Sequence, residues 1–384
     1  MKIVADQNIL AIDTWKMDHH ELHLVAGREI SPAHVKDADA LLVRSITRVD
    51  RELLRDSRVR FVGTATSGTD HLDLEWLASK GIKVADAAGS NANSVAEYVI
   101  ACLAELIRTH DVDVWQKTIA IVGAGHVGSA LGQRLHNMGM KCVACDPHQQ
   151  LLKQLDYVSL HDALQADIVC LHTPLVENGK HPTRYMINKE RLANMRKDAV
   201  LINAGRGEVV NNAQLLQHLR CHDSFLAMLD VWENEPSPDS ELLEQVFVGT
   251  PHIAGYSVEA KLAASRCIVD ALCQAFALDN SFVGSPAHLP RLVQDITHTE
   301  LQQTDQQIFA ELINQCLSLS NLTQSFRRAN KKADPEKVSQ GKVFDKLRKQ
   351  LAERREFSAC HVQAAAVTPQ VASWLHSAGF VLQA

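Results

Sequence analysis

Through the first three quarters of the chain, short apolar runs alternate with polar segments whose apolar residues recur at helical spacing. That pattern predicts parallel sheets with crossover helices. Ile3-Val4-Ala5, Leu22 to Val25, Ala40 to Val43 and Phe61 to Gly63 read as strands of one small α/β unit ending near Val84. Ser94 to Ile107 is apolar around most of its circumference, so it reads as a helix buried in a core or a subunit interface. Asn93-Ser94 offers its cap, and Glu97 stands where a capping-box acid would. A second α/β unit starts at Thr118 to Val122 and repeats strand and helix to about Val248. Its strands are expected at Met140 to Asp146, Asp167 to His172, Ala199 to Asn203 and Phe225 to Asp230. An Ala-rich helix, Val258 to Ala277, and a turn at Gly284-Ser285-Pro286 follow. Beyond it the chain becomes richer in Gln and in charged clusters such as Arg327-Arg328, which marks a separate small α+β domain.

A length of 384 residues suits two or three domains. The net charge of -6 gives no electrostatic footprint for nucleic acid. Met1 to Asp6 enters a strand pattern directly, without the regions of a signal peptide, and no apolar run approaches the ~20 residues that span a bilayer. A soluble, cytoplasmic protein without membrane partners is expected. The nine cysteines are odd in number and scattered, as reduced thiols are. Cys142 and Cys145 form a Cys-x-x-Cys, but on a strand they point to opposite faces and read as core.

Gly123-Ala124-Gly125-His126-Val127-Gly128 is a G-x-G-x-x-G that follows a strand and opens a helix from Val127 to Asn137. The first glycine permits a tight turn, the second lets a pyrophosphate approach, and the third lets helix and strand pack closely. The helix N-terminus offers N–H groups to phosphates. Asp146 ends the next strand, where a carboxylate accepts the adenosine ribose hydroxyls and repels a 2′-phosphate. Pro147 to Gln150 bring no Arg, so NAD is the expected cofactor rather than NADP. The architecture expected is α/β, with two Rossmann-like or flavodoxin-like doubly wound parallel-sheet domains plus the small α+β C-terminal domain. The divisions are 1–93 completed by 254–285, then 94–253, then 286–384.

Oxidising a secondary alcohol by hydride transfer requires a base for the hydroxyl proton and, in a hydroxy acid, a cation for the carboxylate. Strand ends of the second unit supply candidates in Asn203 to Gly207, Asp230 to Pro236 and Gly249 to Gly255. These segments resemble, in order and spacing, the signatures of the D-isomer-specific 2-hydroxyacid dehydrogenase family, as does Ala166 to Leu175. The resemblance implies a set of Arg206, Glu235 and His252, with Glu233 as the alternative acid. His252 would be the base, Glu235 would fix its tautomer, and Arg206 would clamp the carboxylate. It also implies that Asp230 holds the nicotinamide side, and that Thr173, Ala204, Gly205, Arg206 and Gly255 line the cofactor with Gly123, Gly125, His126, Val127, Gly128 and Asp146.

A closer resemblance runs end to end, to a branch of that family acting on a small phosphorylated hydroxy acid. It rests on Met1 to Asp6 with Asn8, Val43-Arg44-Ser45, Gly63 to His71, and His252 to Tyr256. Phe344 to Lys349 with Glu353 to Phe357 is similar to part of an extra C-terminal dimerisation domain. Ser45, Thr66 and Tyr256 are then implied substrate contacts, and a homodimer is implied. Arg44 is added as a phosphate or carboxylate partner, with a solvated strand-end charge as the equal alternative. Val176 to Pro182 and Gln302 to Asn330 depart from the pattern. The rival readings are another member such as a 3-phosphoglycerate dehydrogenase, or an NAD-sensing binding protein. No metal site is expected: Asp18-His19-His20-Glu21-Leu22-His23 lacks ligand spacing and reads as a polar loop entering a strand.

Overall fold

The computed structural model describes residues 1–15, 20–148, 152–278, 294–296, 303–331, 340–351 and 353–383. Contacts divide the chain into two units, Met1–Asn91 with Val258–Arg291 and Ala92–Ser257 with Leu292–Ala384.

The first unit is a parallel sheet of β1 (Lys2–Asp6), β2 (Glu21–Val25), β3 (Ala40–Val43), β4 (Phe61–Thr64) and β5 (Lys83–Ala85), in the order β2-β1-β3-β4-β5. β3 and β4 are buried along their whole length, the burial that unbroken apolar runs predict for a sheet covered on both faces. On one face Ile3, Ala5, Leu42 and Phe61 pack with Ile268, Val269 and Leu272 of the helix Val258–Phe276. On the other, Val4, Leu41 and Val62 pack with Val35, Leu54 and Leu77. This is the flavodoxin-like order, and the strand order reverses between β1 and β3. Of the polar stretch before β2, Asp18 and His19 lie outside the described residues, as does the Gly284-Ser285-Pro286 turn.

The second unit carries β6 (Thr118–Val122), β7 (Lys141–Cys145), β8 (Asp156–Tyr157), β9 (Ile168–Leu171), β10 (Val200–Asn203), β11 (Leu226–Leu229) and β12 (Val248–Gly249). All are parallel, in the order β12-β11-β10-β9-β6-β7-β8. This is the Rossmann order with one strand added. The edge strands β8 and β12 have two residues each, too few to leave a periodic signal in the sequence. A smaller parallel sheet, β13 (Gln294–Ile296), β14 (Cys360–Gln363) and β15 (Val381–Gln383), belongs to the same unit.

The helix Ala92–His110 is buried from Ser94 through Ile107. It packs on the helix Asp305–Cys316 within one core cluster that includes Phe309, Leu312 and Ile313. The expected cap at Asn93-Ser94 is not there, because the helix already starts at Ala92. Ser94 sits fully buried and donates its hydroxyl to the Ala254 carbonyl at 3.0 Å instead. Glu97 accepts from the Phe357 N–H at 3.0 Å and lies 3.4 Å from Arg134. The cysteines are free thiols, and burial pushes Cys142 up to about 12. Among the described residues, no helix is long and apolar enough to cross a membrane and no His/Cys/Asp/Glu group is placed to hold a metal.

Candidate active site

β6 leads into Gly123, whose φ of 94° lies in the left-handed region that favours glycine. A Cβ there would stand 2.8 Å from the His172 carbonyl carbon, and one on Gly128 would stand 2.0 Å from the Gly123 oxygen. Nothing lies within 4 Å of where a Gly125 Cβ would be, so that amide is open to a close-approaching ligand. The helix His126–Asn137 starts there without a side-chain cap, leaving its first N–H groups available to an anion. His126 is exposed and Val127 half-buried at that opening. Asp146, at the end of β7, accepts from Ala124 N–H at 2.9 Å and His148 N–H at 2.8 Å, which ties the acid to the turn. Across it, Thr173 Oγ1 and both His172 ring nitrogens are buried without a hydrogen-bond partner. Burial pushes His172 down to about 4, so the ring is neutral at neutral pH. A Cβ on Gly205 would meet the Thr173 oxygen at 3.0 Å, which places Ala204 and Gly205 alongside Thr173. Open amides, an uncapped helix start, a carboxylate tethered to the turn and an unmet hydroxyl fit a dinucleotide.

The acid–base candidates come from three neighbouring strand ends. Asn203, ending β10, accepts from Gly205 N–H at 3.1 Å and donates to the Arg206 carbonyl at 3.0 Å, which shapes the turn presenting Arg206. The Arg206 guanidinium is half-buried and reaches the Gly205 carbonyl at 3.1 Å. A Cβ on the next residue, Gly207, would stand 2.0 Å from the Trp232 main chain, so this turn lies against the Asp230–Pro236 segment. There Glu235 accepts from Trp232 N–H at 2.9 Å and pairs with His252 Nδ1 at 2.7 Å. Burial raises the Glu235 carboxyl, but the His252 charge and these hydrogen bonds outweigh it and hold the group below the usual carboxylate range. With Nδ1 so engaged, Nε2 is the imidazole nitrogen left for substrate. Glu233 accepts from Asn212 N–H at 2.6 Å and is not the His252 partner.

His252 has a φ of 52°, a conformation costing about 1 kcal/mol or more that persists only when its surroundings hold it. The holding is dense. Its N–H donates to the Asp230 carbonyl at 2.7 Å. The buried Asp230 carboxylate accepts from Ile253 N–H and Ala254 N–H, both at 2.8 Å, and from Thr250 Oγ1 at 2.6 Å. Thr250 Oγ1 also meets Tyr98 Oη at 2.7 Å, and Trp232 Nε1 donates to the Thr250 carbonyl at 2.9 Å. Burial pushes Asp230 up, opposed by His252 and these bonds. From the opposite side, buried Arg354 donates one Nη to the Ile253 and Ala254 carbonyls at 2.8 Å each and the other to the Ser94 carbonyl at 3.0 Å. Ser257 Oγ donates to Glu356 at 3.0 Å. The loop is clamped by its N–H groups on one side and its carbonyls on the other.

The second unit thus brings Arg206, Asp230, Glu235 and His252 onto adjacent strand ends. Gly255 and Tyr256 follow in the turn closed by Tyr256 N–H to the Ile253 carbonyl at 2.9 Å. In the first unit, Arg44 follows β3, is half-buried and pairs with fully buried Asp6 at 2.8 Å. Ser45 is exposed beside it. Thr66 hydrogen-bonds Thr64 Oγ1 at 2.7 Å and the Gly68 carbonyl at 2.9 Å. Tyr98, Arg354 and Glu356 are not legible in the sequence as part of the site. Thr250 carries a signal, by its place in the Thr-Pro-His run.

Residues 101–254 match the family model described as D-isomer specific 2-hydroxyacid dehydrogenase, NAD binding domain. The chain is 40% identical over 392 residues to an erythronate-4-phosphate dehydrogenase of Marinobacter nauticus, spanning 100% of both chains. It is 39% identical over 383 residues to the same-named enzyme of Pseudomonas putida, again over 100% of each. Among solved structures it resembles the TT0316 protein of Thermus thermophilus, with a TM-score of 0.63 and 26% identity over 73% of this chain and 99% of that one. It also resembles the NAD-dependent formate dehydrogenase of Staphylococcus aureus in complex with NAD, with a TM-score of 0.58 and 25% identity over 72% and 96%.

Proposed function

This chain belongs to the D-isomer-specific 2-hydroxyacid dehydrogenases, in the branch of the erythronate-4-phosphate dehydrogenases, and from that premise we propose that it oxidises 4-phospho-D-erythronate to 2-oxo-3-hydroxy-4-phosphobutanoate. Its cofactor is NAD, which accepts the hydride from C2 when bound. The observation that carries the reading is the His252–Glu235 pair at 2.7 Å, mounted on a loop clamped from both sides. His252 Nε2 takes the proton of the C2 hydroxyl while Glu235, held ionised, stabilises the imidazolium that forms. Arg206 binds the carboxylate with its planar fork and polarises the C2 oxygen. Asp230 fixes the backbone that carries His252 and, as the family resemblance implies, holds the nicotinamide side. The turn from Gly123 to Gly128 with Val127 and His126 takes the pyrophosphate, Asp146 the ribose, and Thr173, Ala204, Gly205 and Gly255 the nicotinamide end.

Ser45, Thr66, Tyr256 and Arg44 are the proposed substrate contacts. The proposed division of labour is 1–93 with 254–285 for substrate, 94–253 for NAD and 286–384 for dimerisation. A cytoplasmic homodimer working in pyridoxal phosphate biosynthesis completes the reading. The test is to incubate the protein with NAD and 4-phospho-D-erythronate, with 3-phospho-D-glycerate in parallel, and to quantify the 2-oxo product directly. Faster oxidation of the erythronate ester is expected, and a His252→Ala variant should lose about 10²–10⁴-fold in turnover while still binding NADH. Oxidation of phosphoglycerate alone, or of neither, would overturn the substrate assignment.

A further inference from the structure

We propose that Arg348, from the C-terminal segment, binds the phosphate group of the substrate. The inference rests on the reading above that the substrate is a phosphorylated hydroxy acid. The helix Gln340–Gln350 is anchored by Phe344, which is buried with its ring 5.8 Å from Phe326, in the cluster that also holds Trp232. Leu347 packs against the same cluster. Arg348 follows on that face, and its guanidinium carbon lies 5.3 Å from the centre of the Tyr256 ring. The stacked ring leaves the in-plane donors of the fork for an oxyanion.

Two further observations aim this cation at the reacting centre. Its charge is felt by Glu235, the carboxylate that pairs with His252, and helps hold that group ionised. Its Nε is buried with no hydrogen-bond partner, and no ion pair to Arg348 is seen among the described residues. A donor kept from water with no acceptor of its own suits a ligand that brings three acceptor oxygens. The neighbouring arginines are otherwise engaged. Arg354 spends its donors on the carbonyls of Ile253, Ala254 and Ser94, and Arg206 serves the carboxylate. The extra C-terminal segment would then select substrate as well as assemble subunits.

The experiment compares the full-length enzyme with its Arg348→Met and Arg348→Lys variants on 4-phospho-D-erythronate and on unphosphorylated D-erythronate. The parent should prefer the phosphate ester, and Arg348→Met should shrink that preference about 30- to 1000-fold, mainly through KM. Arg348→Lys should restore part of it, and thermal melts check that each variant folds. If Arg348 only supports Tyr256, both substrates fall together and the preference survives, which overturns the proposal. If the parent does not oxidise 4-phospho-D-erythronate, the functional reading falls by itself. Titration of inorganic phosphate then still decides on Arg348: weaker binding to Arg348→Met supports the site, and equal binding to parent and variant overturns it.

Discussion

The turn from Gly123 to Gly128 and the loop from Thr250 to Tyr256 both leave strands of one parallel sheet, and they are held in shape by different means. In the turn the backbone is fixed by what is missing: side chains on Gly123 and Gly128 would collide with main chain at 2.8 and 2.0 Å. The constraint is local and contained within a few residues. In the loop the backbone is fixed by what has been brought to it, from Tyr98, Asp230 and Arg354. Arg354 lies about a hundred positions further along the chain and Tyr98 about a hundred and fifty positions before it. A phosphate cradle tolerates a rigid, generic shape. The proposed general base needs its ring aimed, and here the aim is set through hydrogen bonds that can each be adjusted.

Removing one distant tether should have the largest effect. Arg354→Met removes its hydrogen bonds to three carbonyls and shifts His252, so kcat should fall about 100-fold. NADH affinity, measured by fluorescence titration, should stay close to the parent value because the glycine turn is untouched. A parallel loss of NADH binding would show that loop and turn form one unit. Next comes Gly128→Ala, which forces a methyl against the Gly123 oxygen. NADH binding should weaken about tenfold, with a stability loss of about 1–3 kcal/mol by thermal melt. The smallest effect concerns pH. Burial, reinforced by Glu356 and opposed by Arg134 and Arg354, pushes Glu97 up to about 8. Its raised folded value favours the protonated form, so its contribution is fully present at acid pH and is lost as pH climbs from about 4.5 through 8. Glu97→Gln should therefore flatten the fall in melting temperature over that window, and an unchanged slope would place the titration elsewhere.

The same contrast explains what can be read from the sequence. Strands such as Ala40–Val43 and Ile168–Leu171 are buried on both faces, so unbroken apolar runs betray them. The glycine turn is readable because its rule is steric and local. Arg206, Glu235 and His252 are readable through signature segments, and the structure sets Glu235 and not Glu233 against the imidazole. The clamp is not. Ser94 reads as a helix cap because an N-terminal Ser usually is one, yet its hydroxyl answers a carbonyl 160 residues away. Arg354 and Arg348 read only as part of the C-terminal dimerisation segment, since no local pattern announces a buried arginine. Partners distant along the chain leave no periodicity for a sequence reader to find.

The first unit's sheet has a consequence for how the chain is made. Its face of Ile3, Ala5, Leu42 and Phe61 is covered by Ile268, Val269 and Leu272, which follow the catalytic loop. About 170 residues separate the end of β5 at Ala85 from the start of the covering helix at Val258. At ribosomal speeds of about 5–20 residues per second, the nascent sheet waits roughly 10–35 s with that side bare. Throughout that interval it is a ready substrate for chaperones, while the nucleotide-binding fold behind it is already emerging. The last part of the N-terminal unit to be synthesised thus sets when the newborn chain stops being sticky.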